Sequence, residues 1–134
     1  MAENYDDLQA SFGRCLRNGQ FIAHFYDIFM ASHPDIAPMF ARTDFGKQHL
    51  ALRRGISSAI SHAAGSRLAE HTMVDMAKVH SHAGHAPVPP ELYPYWVESL
   101  LTAVAEHDPQ YTPALGARWR QAMNATTTFF AGHY

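Results

Sequence analysis

The chain has 134 residues, which is enough for one domain with a hydrophobic core. Its ten basic and twelve acidic residues nearly balance, so the sequence offers no basic surface that would attract nucleic acid or an anionic membrane. A single cysteine, Cys15, excludes an intramolecular disulfide and a cysteine-based zinc site.

The N-terminal segment, MAENYDDLQA, is polar and acidic, which excludes a secretory signal peptide. No apolar run approaches the length that spans a bilayer. We therefore expect a soluble, cytoplasmic protein with no membrane partner and a single domain over residues 1–134. The sequence pattern leaves its oligomeric state open.

Apolar residues recur with helical spacing along the chain, and no window follows the two-residue alternation of a strand. Capping residues, glycines and prolines separate these stretches. The predicted starts and stops lie at Asp6 or Asp7, Asn18-Gly19, Pro34, Thr43 or Asp44, Gly65-Ser66, Glu91, Asp108-Pro109 and Pro113. The sequence thus predicts an all-α domain of about six or seven helices.

Tyr26 lies on an apolar stripe of the second predicted helix, together with Ile22 and Phe29. A buried phenol needs a hydrogen-bond partner, because leaving it unpaired costs a few kcal/mol. Two interpretations follow: a core tyrosine that donates to a backbone carbonyl, or a donor that points at something polar in a cavity.

Gln48 interrupts the apolar stripe of the third predicted helix, between Phe45 and Leu52. A buried amide without a partner is costly, although a glutamine at the edge of a stripe often reaches solvent. His49 lies four residues before Arg53, so we expect its row of the helix to face solvent.

Histidines cluster at the end of the fourth predicted helix, in the segment MAKVHSHAGHAPVPPELYPYW. His80 lies one turn after Met76 and shares its apolar face, whereas His82 points largely away and His85 falls outside the helix. An imidazole in such a place can ligate haem iron, but a lone histidine of this kind is more often structural. No HExxH motif or cysteine cluster supports a zinc site here.

Taken in order, these motifs resemble the globins, in particular the bacterial single-domain globins and the globin part of flavohaemoglobins. HFYDIFMASHPDIAPMF, residues 24–40, is similar to the second and third helices of the family, and TDFGKQHLAL to the start of its distal helix. PPELYPYW is similar to the corner and helix after the proximal histidine, and DPQYTP and RWR to the last corner and helix. The resemblance covers essentially the whole chain and implies a globin fold with a short or absent D helix.

The resemblance also implies a haem b cofactor, and the absence of a CxxCH motif excludes covalent attachment. His80 matches the proximal iron ligand, with His82 as a minor alternative. Tyr26 and Gln48 match the distal residues that donate hydrogen bonds to a bound gas. The remaining residues expected in the haem pocket are Phe40, Phe45, Leu52, Met76, Tyr93 and Trp96.

Two features depart from the flavohaemoglobin pattern. Residues 120–134 contain no acid that could match the glutamate expected near Tyr93 and the proximal histidine. We therefore expect a backbone carbonyl of the proximal helix to hold the second imidazole nitrogen. No flavin or nicotinamide domain follows the globin part, so any reductase would be a separate partner.

The expected function is reversible binding of dioxygen and other diatomic gases, such as nitric oxide and carbon monoxide, for storage, scavenging or sensing. An alternative is a nitric oxide dioxygenase that depends on a separate reductase, and a third is a haem-free helical interaction domain. The other histidines are expected at the surface: His24, His33, His62, His71, His107 and His133.

Overall fold

The computed structural model describes residues 4–84 and 86–134, so the prediction for His85 lies outside the described residues. Six α-helices follow one another: α1 (Asp6–Arg17), α2 (Phe21–Ser32), α3 (Phe45–Ala63), α4 (Arg67–Val79), α5 (Tyr93–His107) and α6 (Pro113–Gly132). Two 3-10 turns, Ala37–Phe40 and Pro90–Leu92, precede α3 and α5. The described ranges contain no strand, which confirms the all-α prediction. Within them, no helix lies between the first 3-10 turn and α3, where a D helix was expected to be short or absent.

The helix boundaries follow from local capping. Asp44 accepts a hydrogen bond from the Lys47 N–H at 3.3 Å and caps α3, as one of the two predicted residues. Ser66 caps α4 in the same way, by accepting from the Ala69 N–H at 3.3 Å. Gly65 has a φ of 91°, a conformation that favours glycine, and this turns the chain between α3 and α4.

The core forms where the apolar stripes of the helices meet. α2 packs along α5, while α3 packs against both α4 and α6. Trp119 of α6 and Phe21 of α2 are fully buried, and each meets the ring of Phe12 edge-on, at 6.4 and 6.2 Å between centroids. None of the helices in the described part of the chain is long and apolar enough to cross a bilayer.

A buried carboxylate ties α1 to the corner between α5 and α6. Asp108 accepts hydrogen bonds from Ser11 Oγ at 2.6 Å and from Arg14 Nε at 2.7 Å, and Ser11 in turn accepts from Trp119 Nε1 at 3.0 Å. Burial alone would raise the pKa of Asp108, but the hydrogen bonds from Arg14 and Ser11 outweigh it and hold that pKa below its ordinary value. The corner is therefore held by an ionised carboxylate whose oxygens are all engaged.

Candidate functional site: a cavity between α3 and α4

A cavity of about 410 Å³ lies between α3 on one side and the end of α4 with its following corner on the other. Parts of α2, α5, α6 and both 3-10 turns complete its wall. Its size falls within the range of about 300–1,000 Å³ that is usual for cofactor and ligand pockets. The wall is largely apolar, and its polar side chains are Tyr26, Gln48, Asp75, His80, Tyr93, Thr126 and Thr127.

The structure brings eight of the nine predicted site residues to this cavity: Tyr26, Phe40, Gln48, Leu52, Met76, His80, Tyr93 and Trp96. The ninth, Phe45, does not belong to the lining. It stacks on Phe40 at 6.0 Å between centroids and meets Tyr26 edge-on at 5.7 Å. Phe45 therefore packs against two lining residues, Tyr26 and Phe40, without lining the cavity itself, because the first turn of α3 directs it towards α2.

His80 is the residue at which the chain leaves α4, and it lines the cavity. Its Nδ1 lies 3.1 Å from the carbonyl oxygen of Ala86. A carbonyl only accepts, so a hydrogen bond here uses a proton on Nδ1, and the neutral tautomer with that proton has its lone pair on Nε2. The prediction of a carbonyl on the proximal helix was wrong in its location: the acceptor lies in the corner that follows α4, because His80 is already past the last helical residue.

The corner after α4 folds back tightly on the end of the helix. The Ala86 N–H donates to the Val79 carbonyl at 2.9 Å, and the Val88 N–H donates to the His80 carbonyl at 3.0 Å. A side chain at Gly84 would overlap the carbonyl oxygens at the end of α4, so only glycine fits this position. This close approach places the Ala86 carbonyl against the imidazole of His80.

His82, the alternative to His80, points elsewhere. It is exposed, and its Nδ1 lies 2.5 Å from the carbonyl oxygen of Tyr134. Its backbone N–H donates to the same carbonyl at 3.2 Å. His82 does not belong to the cavity lining, so His80 is the better candidate of the two for the iron ligand expected from the sequence.

Tyr26 lines the same cavity from α2 as a buried phenol, with 3% of its surface exposed. Its hydroxyl donates to the backbone carbonyl of Gln48 at 3.5 Å, a length at which a hydrogen bond is weak. Burial raises the pKa of Tyr26 to about 12, although that hydrogen bond partly opposes the rise. The phenol is therefore a neutral donor that is only loosely engaged.

The expectation that His49 faces solvent was wrong. His49 is partly buried, and its ring stacks on Tyr26 at 5.4 Å with an interplanar angle of 5°. It also meets Phe45 edge-on at 6.1 Å. His49 and Arg53 lie one helical turn apart on the same side of α3, yet only His49 is partly buried, because α2 packs against α3. Arg53 is exposed. His49 thereby fixes the plane of the Tyr26 ring.

Tyr93 lines the cavity from the first turn of α5. Its hydroxyl is buried and has no hydrogen-bond partner among residues 4–84 and 86–134, in line with the lack of an acid in the last helix. Burial raises the pKa of Tyr93 to about 12, and the nearby Tyr134 adds to that rise. Since Tyr93 lines the cavity, a molecule bound there could form the hydrogen bond that this hydroxyl lacks.

Several wall residues were not assigned from the sequence. Phe29, Ile56 and Met73 lie on the predicted apolar stripes, so a helical projection contains the signal for them. Val88 and Thr126 carried no such signal, because one lies in an aperiodic corner and the other is a polar residue that happens to turn inward on α6.

The fold and the site together define an all-helical protein with an apolar cavity, an imidazole on one wall and a buried phenol on the other. The chain is 34% identical to a Pseudomonas aeruginosa protein whose crystal structure is described as highly homologous to a human haemoglobin, with a TM-score of 0.90 and 96% of each chain covered. The chain therefore belongs to the globin family, and it has the globin fold. No protein-family model matches the sequence, and no curated protein matches it.

Proposed function

We propose that this globin binds haem b in the cavity between α3 and α4 and uses it to bind dioxygen and other diatomic gases reversibly. The observation that carries the proposal is the state of His80, which lines the cavity with Nδ1 held by the Ala86 carbonyl and Nε2 left as a lone-pair donor. Bound haem would supply an iron with one open coordination position, at which such gases bind reversibly.

The chain's own residues fit this group. Leu52, Met76 and Trp96 offer the apolar surface that a macrocycle requires, and Phe40 adds an aromatic ring. The Phe130 ring lies 5.6 Å from that of His80 and limits how far the imidazole can rotate. The neutral imidazole with its proton on Nδ1 is the form that ligates iron through Nε2, and the Ala86 carbonyl favours that tautomer.

The opposite wall would hold a diatomic ligand by hydrogen bonds. The Tyr26 hydroxyl, released from its 3.5 Å bond to Gln48, can donate towards the cavity, and the Gln48 side-chain amide is a second donor on the same wall. A hydrogen bond to a partly charged acceptor contributes about 1–3 kcal/mol. Two donors in an apolar cavity slow ligand release, which favours storage, scavenging or sensing over rapid delivery.

Replacing Tyr26 by phenylalanine should speed dioxygen release about ten- to a hundredfold, because the ring and its packing remain while the donor is lost. Stopped-flow measurement of the dissociation rate constant checks this. For wild type the rate constant should stay flat from neutral pH to about pH 10, since the pKa of Tyr26 is raised to about 12. Tyr95→Phe, at an exposed position of α5, is the matched control. An equal rate constant in Tyr26→Phe and wild type would remove Tyr26 from ligand binding.

Replacing Gly84 by alanine should weaken haem binding about ten- to a hundredfold, the range seen when the partner of a metal ligand is displaced. The added methyl group forces the corner off the end of α4 and moves the Ala86 carbonyl away from His80. Haemin titration followed by absorbance measures the affinity. Gly13→Ala is the control, because a side chain there meets nothing within 4 Å. Equal affinities in the two variants would mean that the corner does not orient His80.

A further inference from the structure

Two histidines that were expected at the surface instead face each other across α2 and α5. His24 of α2 and His107, the last residue of α5, are both partly buried. His24 Nδ1 lies 2.8 Å from His107 Nε2 and 3.1 Å from Glu106 Oε2. Within residues 4–84 and 86–134, no other three histidine, cysteine or acidic side chains come together in this way. We propose that His24, Glu106 and His107 form a binding site for a zinc ion, separate from the cavity.

The spacing of the three ligand atoms suits a tetrahedral ion. Zinc bonds of about 2.0–2.2 Å to nitrogen and oxygen place neighbouring ligand atoms roughly 3.3–3.5 Å apart in a tetrahedron. The three atoms here all lie within 4.8 Å of one another, and two of the separations are 2.8 and 3.1 Å. Small rotations of the exposed Glu106 and the partly exposed His24 open the set to the required distances. The fourth position would be filled by water.

The chemistry of the ligands selects the ion. Two imidazoles and one carboxylate suit zinc, whereas magnesium and calcium prefer a shell of oxygen atoms. Without a cation, the 2.8 Å contact between His24 and His107 requires a proton between two nitrogens that both could act as acceptors. A zinc ion takes the place of that shared proton, which passes to the other ring nitrogen of His24 or to solvent, and both facing nitrogens then bond to the metal.

The site is partly assembled in advance and open to solvent. The His107 ring packs edge-on against the buried Phe21 at 5.7 Å, and its Nδ1 is buried without a hydrogen-bond partner in the described ranges. Packing therefore fixes this ring, with Nε2 directed at His24. Glu106 has a side chain that is 50% exposed, so the ion can enter from that side.

A zinc ion at this position would join α2 to α5 at one end of their contact. The same two helices contribute Tyr26 and Trp96 to the cavity, and neither His24 nor His107 lines it. Zinc would therefore stabilise the fold by binding only to the folded chain, without entering the cavity.

Isothermal titration of the full chain with zinc chloride tests the proposal. We expect one zinc ion per chain for wild type, and at least about tenfold weaker binding for His24→Ala and for Glu106→Gln. Because the Glu106 side chain is half exposed, we expect Glu106→Gln to fold like wild type. His71→Ala is the control: this exposed histidine pairs with Asp75, away from the proposed site, and its loss should leave the affinity unchanged. Magnesium chloride should show no binding.

The melting temperature gives a second measurement. Zinc should raise it by several degrees for wild type and His71→Ala, and by clearly less for Glu106→Gln at the same zinc concentration. Zinc binding of equal strength in wild type, His24→Ala and Glu106→Gln would overturn the proposal, as would the absence of zinc binding in wild type. Both outcomes are independent of whether the cavity binds haem.

Discussion

Replacing His80 by glycine should reduce the affinity for haem by at least about a hundredfold, more than the loss of a partner that only orients a metal ligand. The substitution removes the one histidine among residues 4–84 and 86–134 that lines the cavity. It leaves the corner free to keep its backbone bonds, since Val88 and Ala86 bond to main-chain atoms at the end of α4. Haemin titration followed by absorbance measures the affinity.

Free imidazole gives this experiment a second readout. Added to His80→Gly, it should enter the vacated space and restore the haem spectrum, because the rest of the wall is unchanged. The control is His82→Ala, which removes a histidine from the same segment but from the side that faces Tyr134. Wild-type affinity in His80→Gly, or equal losses in the two variants, would mean that His80 is not the ligand.

Replacing Asp108 by asparagine should lower the free energy of unfolding by about 3 kcal/mol, the lower end of the range for breaking a buried ion pair. The Asp108 side chain is fully buried and Arg14 keeps only 17% exposure, so the guanidinium loses its counter-ion where water cannot fully replace it. An asparagine side chain has one acceptor oxygen instead of two, so it cannot accept from Ser11 and from both nitrogens of Arg14 as the carboxylate does. Urea unfolding followed by circular dichroism measures the change.

The pH dependence of this variant follows from the sign of the pKa change. Because the folded protein lowers the pKa of Asp108, its contribution is present above the unfolded value of about 3.9 and is lost as the pH falls through the lower folded value. Wild type should therefore lose stability below about pH 4 more steeply than Asp108→Asn. Glu98→Gln is the control, since this exposed partner of Arg120 should change stability by less than about 1 kcal/mol. Equal losses in Asp108→Asn and Glu98→Gln would contradict this role.

Much of the fold could be predicted because its determinants are local. Asp44 and Ser66 cap helices within three residues of their own position, and helical spacing alone placed His80 on the face of Met76. The same spacing placed Tyr26 and Gln48 on inward stripes, and both side chains line the cavity. Periodicity therefore identifies which face of a helix turns inward.

The predictions that were wrong concern contacts that depend on how the helices and corners pack against one another. Periodicity could not show that the start of α3 lies beside α2, which turns Phe45 and His49 towards Tyr26. The Ala86 carbonyl reaches His80 only because an aperiodic corner folds back on α4. His24 and His107 are 83 positions apart, so nothing in the local pattern of either residue indicated the other.

The visible absorption spectrum of the purified protein, in the ferric and ferrous states and after addition of carbon monoxide, tests most directly whether the cavity holds haem through His80 with the other side open. We predict a haem band, a five-coordinate ferrous spectrum, and a full shift of that band with carbon monoxide, all of which depend on His80. A protein without a haem band after haemin is added, or a ferrous spectrum with two histidine ligands, would contradict the account.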